Sequence, residues 1–134
     1  MTNSNRKIGN TFEEELCQML FDNGFWSHNL KQNNSGQPAD VIAVRNGKAY
    51  LIDAKVCSNN EFHVKRVEEN QTLAMDLWSD RGNGQGWFAL KLNDEVYMLP
   101  HILIKAYTNT QSKISASEIR ECGTPFGKWV KKCK

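Results

Sequence analysis

Apolar side chains recur at intervals of three and four over residues 11–25, at Phe12, Leu16, Met19 and Leu20, as they do on the buried face of an amphipathic helix. Gly24 is placed to stop that helix. Residues 26–30 read as a short strand, and the polar run that follows, closed by Pro38, as a loop. Residues 39–44 and 48–56 predict two strands joined by Arg45, Asn46 and Gly47. Asn-Gly suits a tight hairpin because both turn residues must accept positive φ. Helical spacing returns over residues 62–78 through Val64, Val67, Leu73 and Leu77, and the glycine-rich run 79–86 ends it. Residues 87–92 and 95–99 form a second strand pair around Asn93 and Asp94, followed by a short helix near residues 102–107. Ser115 and Glu118 have capping-box spacing for one more helical turn. The predicted order is αββαββ with an early extra strand. With no repeat and no linker, one domain over residues 1–134 is expected, its core at about 6–107 and a basic extension at 108–134.

Composition adds limits. A chain of 134 residues, 40% hydrophobic, can bury one core around one sheet. Seventeen basic against fifteen acidic residues give a net charge of +2, too small by itself to mark a nucleic-acid binder. The distribution says more: Arg6 and Lys7 precede the first predicted helix, and the last seven residues hold Lys128, Lys131, Lys132 and Lys134. Both ends are basic. The four cysteines lack the paired spacing of a structural zinc site, which predicts reduced thiols. No apolar run is long enough for a bilayer and the N-terminus lacks a signal-peptide core, so a cytoplasmic protein without membrane contact is expected.

The chemistry concentrates in the first hairpin. Asp53 and Lys55 are two apart on a predicted strand, so both side chains leave the same face of the sheet. Their upstream neighbours Tyr50, Leu51 and Ile52 are apolar, and a carboxylate or an ammonium in such a strand is costly to bury unpaired. Asp40 stands at the mouth of the preceding strand, which the hairpin brings alongside. Two carboxylates at one point suit a hard divalent ion such as Mg2+, which takes oxygen ligands, water and a substrate phosphate. Lys55 would orient a water or neutralise developing negative charge. An ordinary ion pair and a turn-capping aspartate explain the same residues without chemistry. Glu13, Glu14 and Glu15 open the first helix, where the helix dipole favours negative charge. His28, His63 and His101 are too scattered for a zinc site. By periodicity Gln71 points to solvent.

With these residues in place, the chain resembles the PD-(D/E)XK nuclease superfamily, above all the archaeal Holliday junction resolvases and the related RecU-type and phage resolvase-like endonucleases. Residues 9–16 (GNTFEEEL) at the first helix, 23–25 (NGF) at its end, 39–43 (ADVIA) and 46–55 (NGKAYLIDAK) carry the likeness. The resemblance implies a restriction-endonuclease-like α/β fold, with an αβββαβ core and a mixed central sheet flanked by helices. It implies that Glu13, four residues after a glycine, is a metal ligand or its water-linked partner, that Asp40 and Asp53 hold the metal, and that Lys55 completes the motif. It also implies that Gln71, in the segment beginning at Arg66, belongs to the catalytic set. Two departures stand out: Pro38 lies two residues before Asp40 instead of next to it, and residues 113–134 have no evident counterpart.

The function so implied is a Mg2+-dependent endodeoxyribonuclease, with Mn2+ as a substitute, that cuts branched DNA such as Holliday junctions as a homodimer in a bacterial, archaeal or phage-infected cell. The expected DNA contacts are Arg6, Lys7, Ser35, Arg66, Lys128, Lys131 and Lys132. A restriction-like or repair nuclease acting on duplex DNA would use the same residues. A DNA-binding module that keeps the fold without catalysis is the non-enzymatic alternative.

Overall fold

The computed structural model describes residues 2–30 and 39–133, with side chains from Thr11 onward and that of Ile8 before it. Helix α1 (Thr2–Asp22) lays Phe12, Leu16 and Leu20 on the sheet. It begins well before the expected residue 11, because its first turns are polar and leave no apolar period to detect. Gly24, at φ 86°, turns the chain into strand β1 (Trp26–Asn29). Strands β2 (Val41–Arg45) and β3 (Lys48–Val56) form the expected hairpin, with Asn46 and Gly47 both at positive φ (55° and 77°).

The expected helix over residues 62–78 is instead three elements. Strand β4 (Glu61–His63) and a single 3-10 turn (Val64–Arg66) precede helix α2 (Glu69–Trp78). Phe62 and Val64 are buried as strand and turn residues, while Leu73 and Leu77 face outward at 60% and 54% exposure. Their spacing fits a helix; two of the four lie before it starts. Strands β5 (Trp87–Leu92) and β6 (Glu95–Pro100) pair as expected, and α3 (His101–Thr108) follows.

Residues past α3 are built into the fold and do not trail from it. Strand β7 (Lys113–Ser115) pairs with β4, helix α4 (Ala116–Cys122) starts from the expected Ser115–Glu118 capping box, β8 (Thr124–Pro125) joins β6, and α5 (Phe126–Lys132) closes the chain. The main sheet has the order β1-β2-β3-β5-β6-β8. All its neighbours are antiparallel except β3 and β5, the pair that α2 connects, as a crossover requires. The α/β core αβββαβ with a mixed sheet is therefore present, with helices on both faces.

One face carries a core of Phe12, Leu16, Leu20, Phe25 and Ile52 under α1, continued by Phe126 and Trp129 of α5. Trp129 is 2% exposed, with its ring 5.9 Å from Phe25, 5.4 Å from Tyr50 and 5.7 Å from Trp87. Arg45, stacked on Phe25, donates to the carbonyls of Asn23, Val130 and Cys133, and so holds the ends of α1 and α5 together. The other face packs Leu51, Phe62, Met75, Phe88 and Leu99 beneath α2, α3 and α4. All four cysteines are free, and no helix of the described residues is long and apolar enough to cross a membrane.

Candidate active site

Strand β2 pairs with β3 only as far as Val41 opposite Ile52, so the last part of β3, from Asp53 to Val56, runs on with β5 alone beside it. Asp40 takes the place of the missing strand. Its N–H donates to the Ile52 carbonyl at 3.1 Å, and its Oδ2 accepts the Ala54 N–H at 2.8 Å. This bond caps the open edge of β3, where the plain reading of Asp40 expects a turn cap, and it fixes a carboxylate 6% exposed against the end of that strand.

Asp53 leaves β3 on the face under α2 and is completely buried. Gln71 donates from Nε2 to Asp53 Oδ1 at 2.9 Å. The other side-chain atom of Gln71, Oε1, accepts the Glu68 N–H at 3.2 Å, so one amide both closes the capping box of α2 and pins the aspartate. Gln71 is 5% exposed, against the periodicity reading and in accord with what the resemblance implies. The missed residue is Glu68. Its spacing to Gln71 is that of a capping box, the signal that located Ser115 and Glu118.

Lys55 Nζ lies 3.4 Å from Asp53 Oδ2, outside hydrogen-bonding geometry, and that oxygen has no donor among the described residues. Burial, and next the neighbouring Asp40 carboxylate, raise the Asp53 pKa well above the usual range, with Lys55 opposing. Glu13, half-buried on α1, is pushed up to about 7 by burial and then by Asp40, again opposed by Lys55. Its neighbours differ: Glu14 is exposed, and Glu15 is paired with Lys91 at 3.1 Å. Among the described residues no three His, Cys, Asp or Glu side chains form a ready-made metal cage; Asp40 and Asp53 are together, and Glu13 is near enough to feel Asp40.

These features fit a divalent cation. A buried carboxylate oxygen without a donor, and two carboxyls whose ionised forms are disfavoured by crowding and burial, describe a site short of positive charge. The donors are oxygens, which suit Mg2+ or Mn2+ over softer metals.

Of the expected DNA contacts, Ser35 lies outside the described residues, as do the side chains of Arg6 and Lys7 on α1. Arg66 is exposed and donates to the Val56 carbonyl at 2.6 Å, just beyond Lys55. Lys128, Lys131 and Lys132 are exposed on α5. Through Arg45 the end of α5 is held at the hairpin end of β2, the end opposite Asp40.

A family model described as archaeal Holliday junction resolvase (Hjc) matches residues 4–133. That span takes in residues 113–133, the segment for which the sequence alone offered no counterpart. A comparison with curated proteins finds no match. Among solved structures, the fold is similar to that of Hjc from the archaeal hyperthermophile Archaeoglobus fulgidus, a Holliday junction resolvase, with a TM-score of 0.71 and 17% identity over 91% of this chain and 99% of that one. A match over nearly the whole sequence, on a fold that sets Asp40, Asp53, Lys55 and Gln71 at one strand end, places the chain in the archaeal Holliday junction resolvase family, nucleases that act on branched DNA.

Proposed function

We propose that this enzyme hydrolyses phosphodiester bonds at four-way and related DNA branches as a homodimer, with Asp40 and Asp53 holding Mg2+, or Mn2+ in its place, and Glu13 completing the shell directly or through water. The observation that carries this reading is the buried Asp53 Oδ2 without a donor, beside Asp40 and Lys55. Such an ion would polarise a phosphate oxygen and acidify a water. Lys55 contributes positive charge where negative charge grows on the phosphate, and can align the attacking water. Gln71 is a positioning residue: it holds Asp53 in one rotamer. Arg66 sits close enough to the end of β3 to contact a phosphate near the cut, while Lys128, Lys131 and Lys132 reach DNA farther out; Arg6, Lys7 and Ser35 remain candidates of the same kind.

A substrate with two opposed strands to cut calls for two active sites related by two-fold symmetry. Support for self-association comes from the outer face of α2 and α3, where Leu73, Leu77 and Ile102 are 60%, 54% and 63% exposed. An apolar row at i, i+4 on a helix is suited to burial against a partner. Work on chromosomal or viral DNA would place the enzyme in the cytoplasm.

The test is a cleavage panel with Mg2+ and with Mn2+ on four-way junctions, flaps and linear duplexes, using Asp53→Ala as control. Junction cleavage that needs metal and vanishes in the variant is expected. Equal cleavage of linear duplex would move the reading to a restriction-like or repair nuclease, and no cleavage of any substrate would end the enzymatic reading.

A further inference from the structure

Strand β1 forms one edge of the main sheet, with β2 on its inner side and no strand outside it among the described residues. The register sets Trp26 opposite Val44 and His28 opposite Ile42, and Ile42 in turn opposite Leu51. Side chains in directly opposed pairs share a face, and residues two apart along a strand do too. Trp26 and His28 therefore project from the same face as Leu51, Asp53 and Lys55. Over β3 that face is covered by α2, whereas at β1 it is open: Trp26 is 61% exposed and His28 is exposed. The two rings stack on one another, 6.0 Å between centroids and 12° between planes, and so continue as a short aromatic stack that leaves an outer ring face for a further ring.

The surface is tied to the site by short links. Leu30 N–H donates to the Asp40 carbonyl at 2.7 Å, and Asn29 pairs with Val41. Two strand spacings across and two to four residues along the strands put His28 and Trp26 about 12 and 16 Å from Asp53. At the rise of stacked DNA this is roughly three to five nucleotides.

We propose that Trp26 and His28 form a stacking platform for an unpaired or helix-terminal base at the branch of the DNA, a few nucleotides from the phosphate that is cut. The proposal rests on the reading of the chain as a branch-cutting nuclease. A continuous duplex keeps its bases stacked on one another; a branch ends the stack and exposes the face of a base. An aromatic side chain takes that face irrespective of base identity. Size separates this occupant from a second copy of the chain. A stable protein interface buries about 800 Å² on each side, whereas two rings on a four-residue edge strand offer an area closer to one or two bases.

The experiment places 2-aminopurine at each of the five positions next to the branch of a four-way junction, with a linear duplex of the same arms as control. Binding and emission are measured without metal for the full chain and for Trp26→Ala, Trp26→Phe and His28→Ala, and cleavage is measured with Mg2+. The wild type should change the emission at one of the labelled positions. Trp26→Ala should abolish that change and weaken junction binding about tenfold, while Trp26→Phe keeps most of both and all variants bind linear duplex equally. Thermal melts of the exposed-site variants should match the wild type. A Trp26→Ala protein that binds junctions as the wild type does, with the same emission change, overturns the platform while leaving the nuclease reading intact. A change of oligomeric mass in that variant assigns the rings to a protein interface and also overturns it. A wild type that neither binds nor cuts junctions overturns both.

Discussion

Burying a carboxylate whose Oδ2 has no donor costs free energy, because the ionised form gives up water and gains too little in return. Asp53 carries that cost in the metal-free protein, with Asp40 alongside adding repulsion. Asp53→Asn keeps the shape, lets the side-chain carbonyl still accept from Gln71, and sets an uncharged amide in place of the buried charge beside Asp40 and Lys55. We predict that this variant is more stable than the wild type without metal at pH 8, by about 1–3 kcal/mol, and cuts junctions more than about a hundredfold more slowly. Urea unfolding and single-turnover cleavage measure the two; a less stable variant would mean that the carboxylate has a partner strong enough to favour its charge. Gln71→Ala acts in the opposite direction. It strips the donor from Asp53 Oδ1 and the acceptor from the Glu68 N–H, so stability should fall by about 1–3 kcal/mol and kcat by roughly 10- to 100-fold. Junction affinity without metal should not change, since Gln71 is buried and touches no DNA in this reading.

Helix α2 shows what one element contributes and how it was misread. Gln71 and Met75 point inward and Leu73 and Leu77 outward, so a single helix bonds to Asp53 of the candidate site with one face and presents an apolar face with the other. Leu73→Glu with Leu77→Glu should leave the fold and metal binding intact and shift the protein from dimer to monomer by light scattering; a mass unaffected by both charges would remove this face from the self-association account. The same residues misled the sequence reading, because a stripe at helical spacing signals burial without saying by what. Phe62 and Val64 extended that stripe falsely: their period fits a strand leading into a turn as well as a helix. By contrast the β2–β3 hairpin is legible, its second strand to the residue, since Asn46 and Gly47 are suited to positive φ and the flanking strands are mostly apolar; the first strand is displaced from 39–44 to Val41–Arg45, because Asp40 turns its side chain to the end of β3 and Arg45 pairs with Lys48. The tail was read by its charge when its period mattered more. Phe126, Trp129 and Val130 have the i, i+3, i+4 spacing of a buried helix face, and Lys128, Lys131 and Lys132 are the solvent side. Of the candidate site, Asp53 and Lys55 are legible from strand alternation and Asp40 from the hairpin that brings its strand alongside, whereas burial of Gln71 depends on where α2 starts, which the Glu68–Gln71 spacing marks and the apolar stripe over 62–78 obscures.

For the whole molecule, three titrating groups set how stability depends on pH. Burial, with Lys105 adding and Asp76 opposing, lowers the His101 pKa below 6.5; its Nε2 is buried without a hydrogen-bond partner, 3.6 Å from Asp76 Oδ1. A depressed histidine favours the folded state above the unfolded pKa, and that stability is lost as pH falls below 6.5 toward the folded value. Glu13 and Asp53 behave in the opposite sense. Their folded pKa values are raised, so the folded state binds protons more tightly, and stability present in acid is lost as pH rises, from 4.5 to about 7 for Glu13 and from 3.8 upward for Asp53. Below 6.5 the histidine offsets part of the effect of the two carboxyls; above 6.5 only the carboxyls act. The metal-free protein should therefore lose Tm as pH rises from about 5 toward 8, more gently below 6.5, where the histidine opposes the change, than just above it. A divalent cation stabilises the ionised carboxylates and displaces their protons, so it binds more tightly as pH rises and adds to stability by mass action. With saturating Mg2+ the decline toward pH 8 should disappear, and the gain in Tm should be larger at pH 8 than at pH 6. Calorimetry in two buffers of different ionisation enthalpy should register proton release on metal binding at pH 7, reduced in Glu13→Gln. A Tm gain independent of pH, with no protons released, would show that the cation binds elsewhere than at these carboxyls.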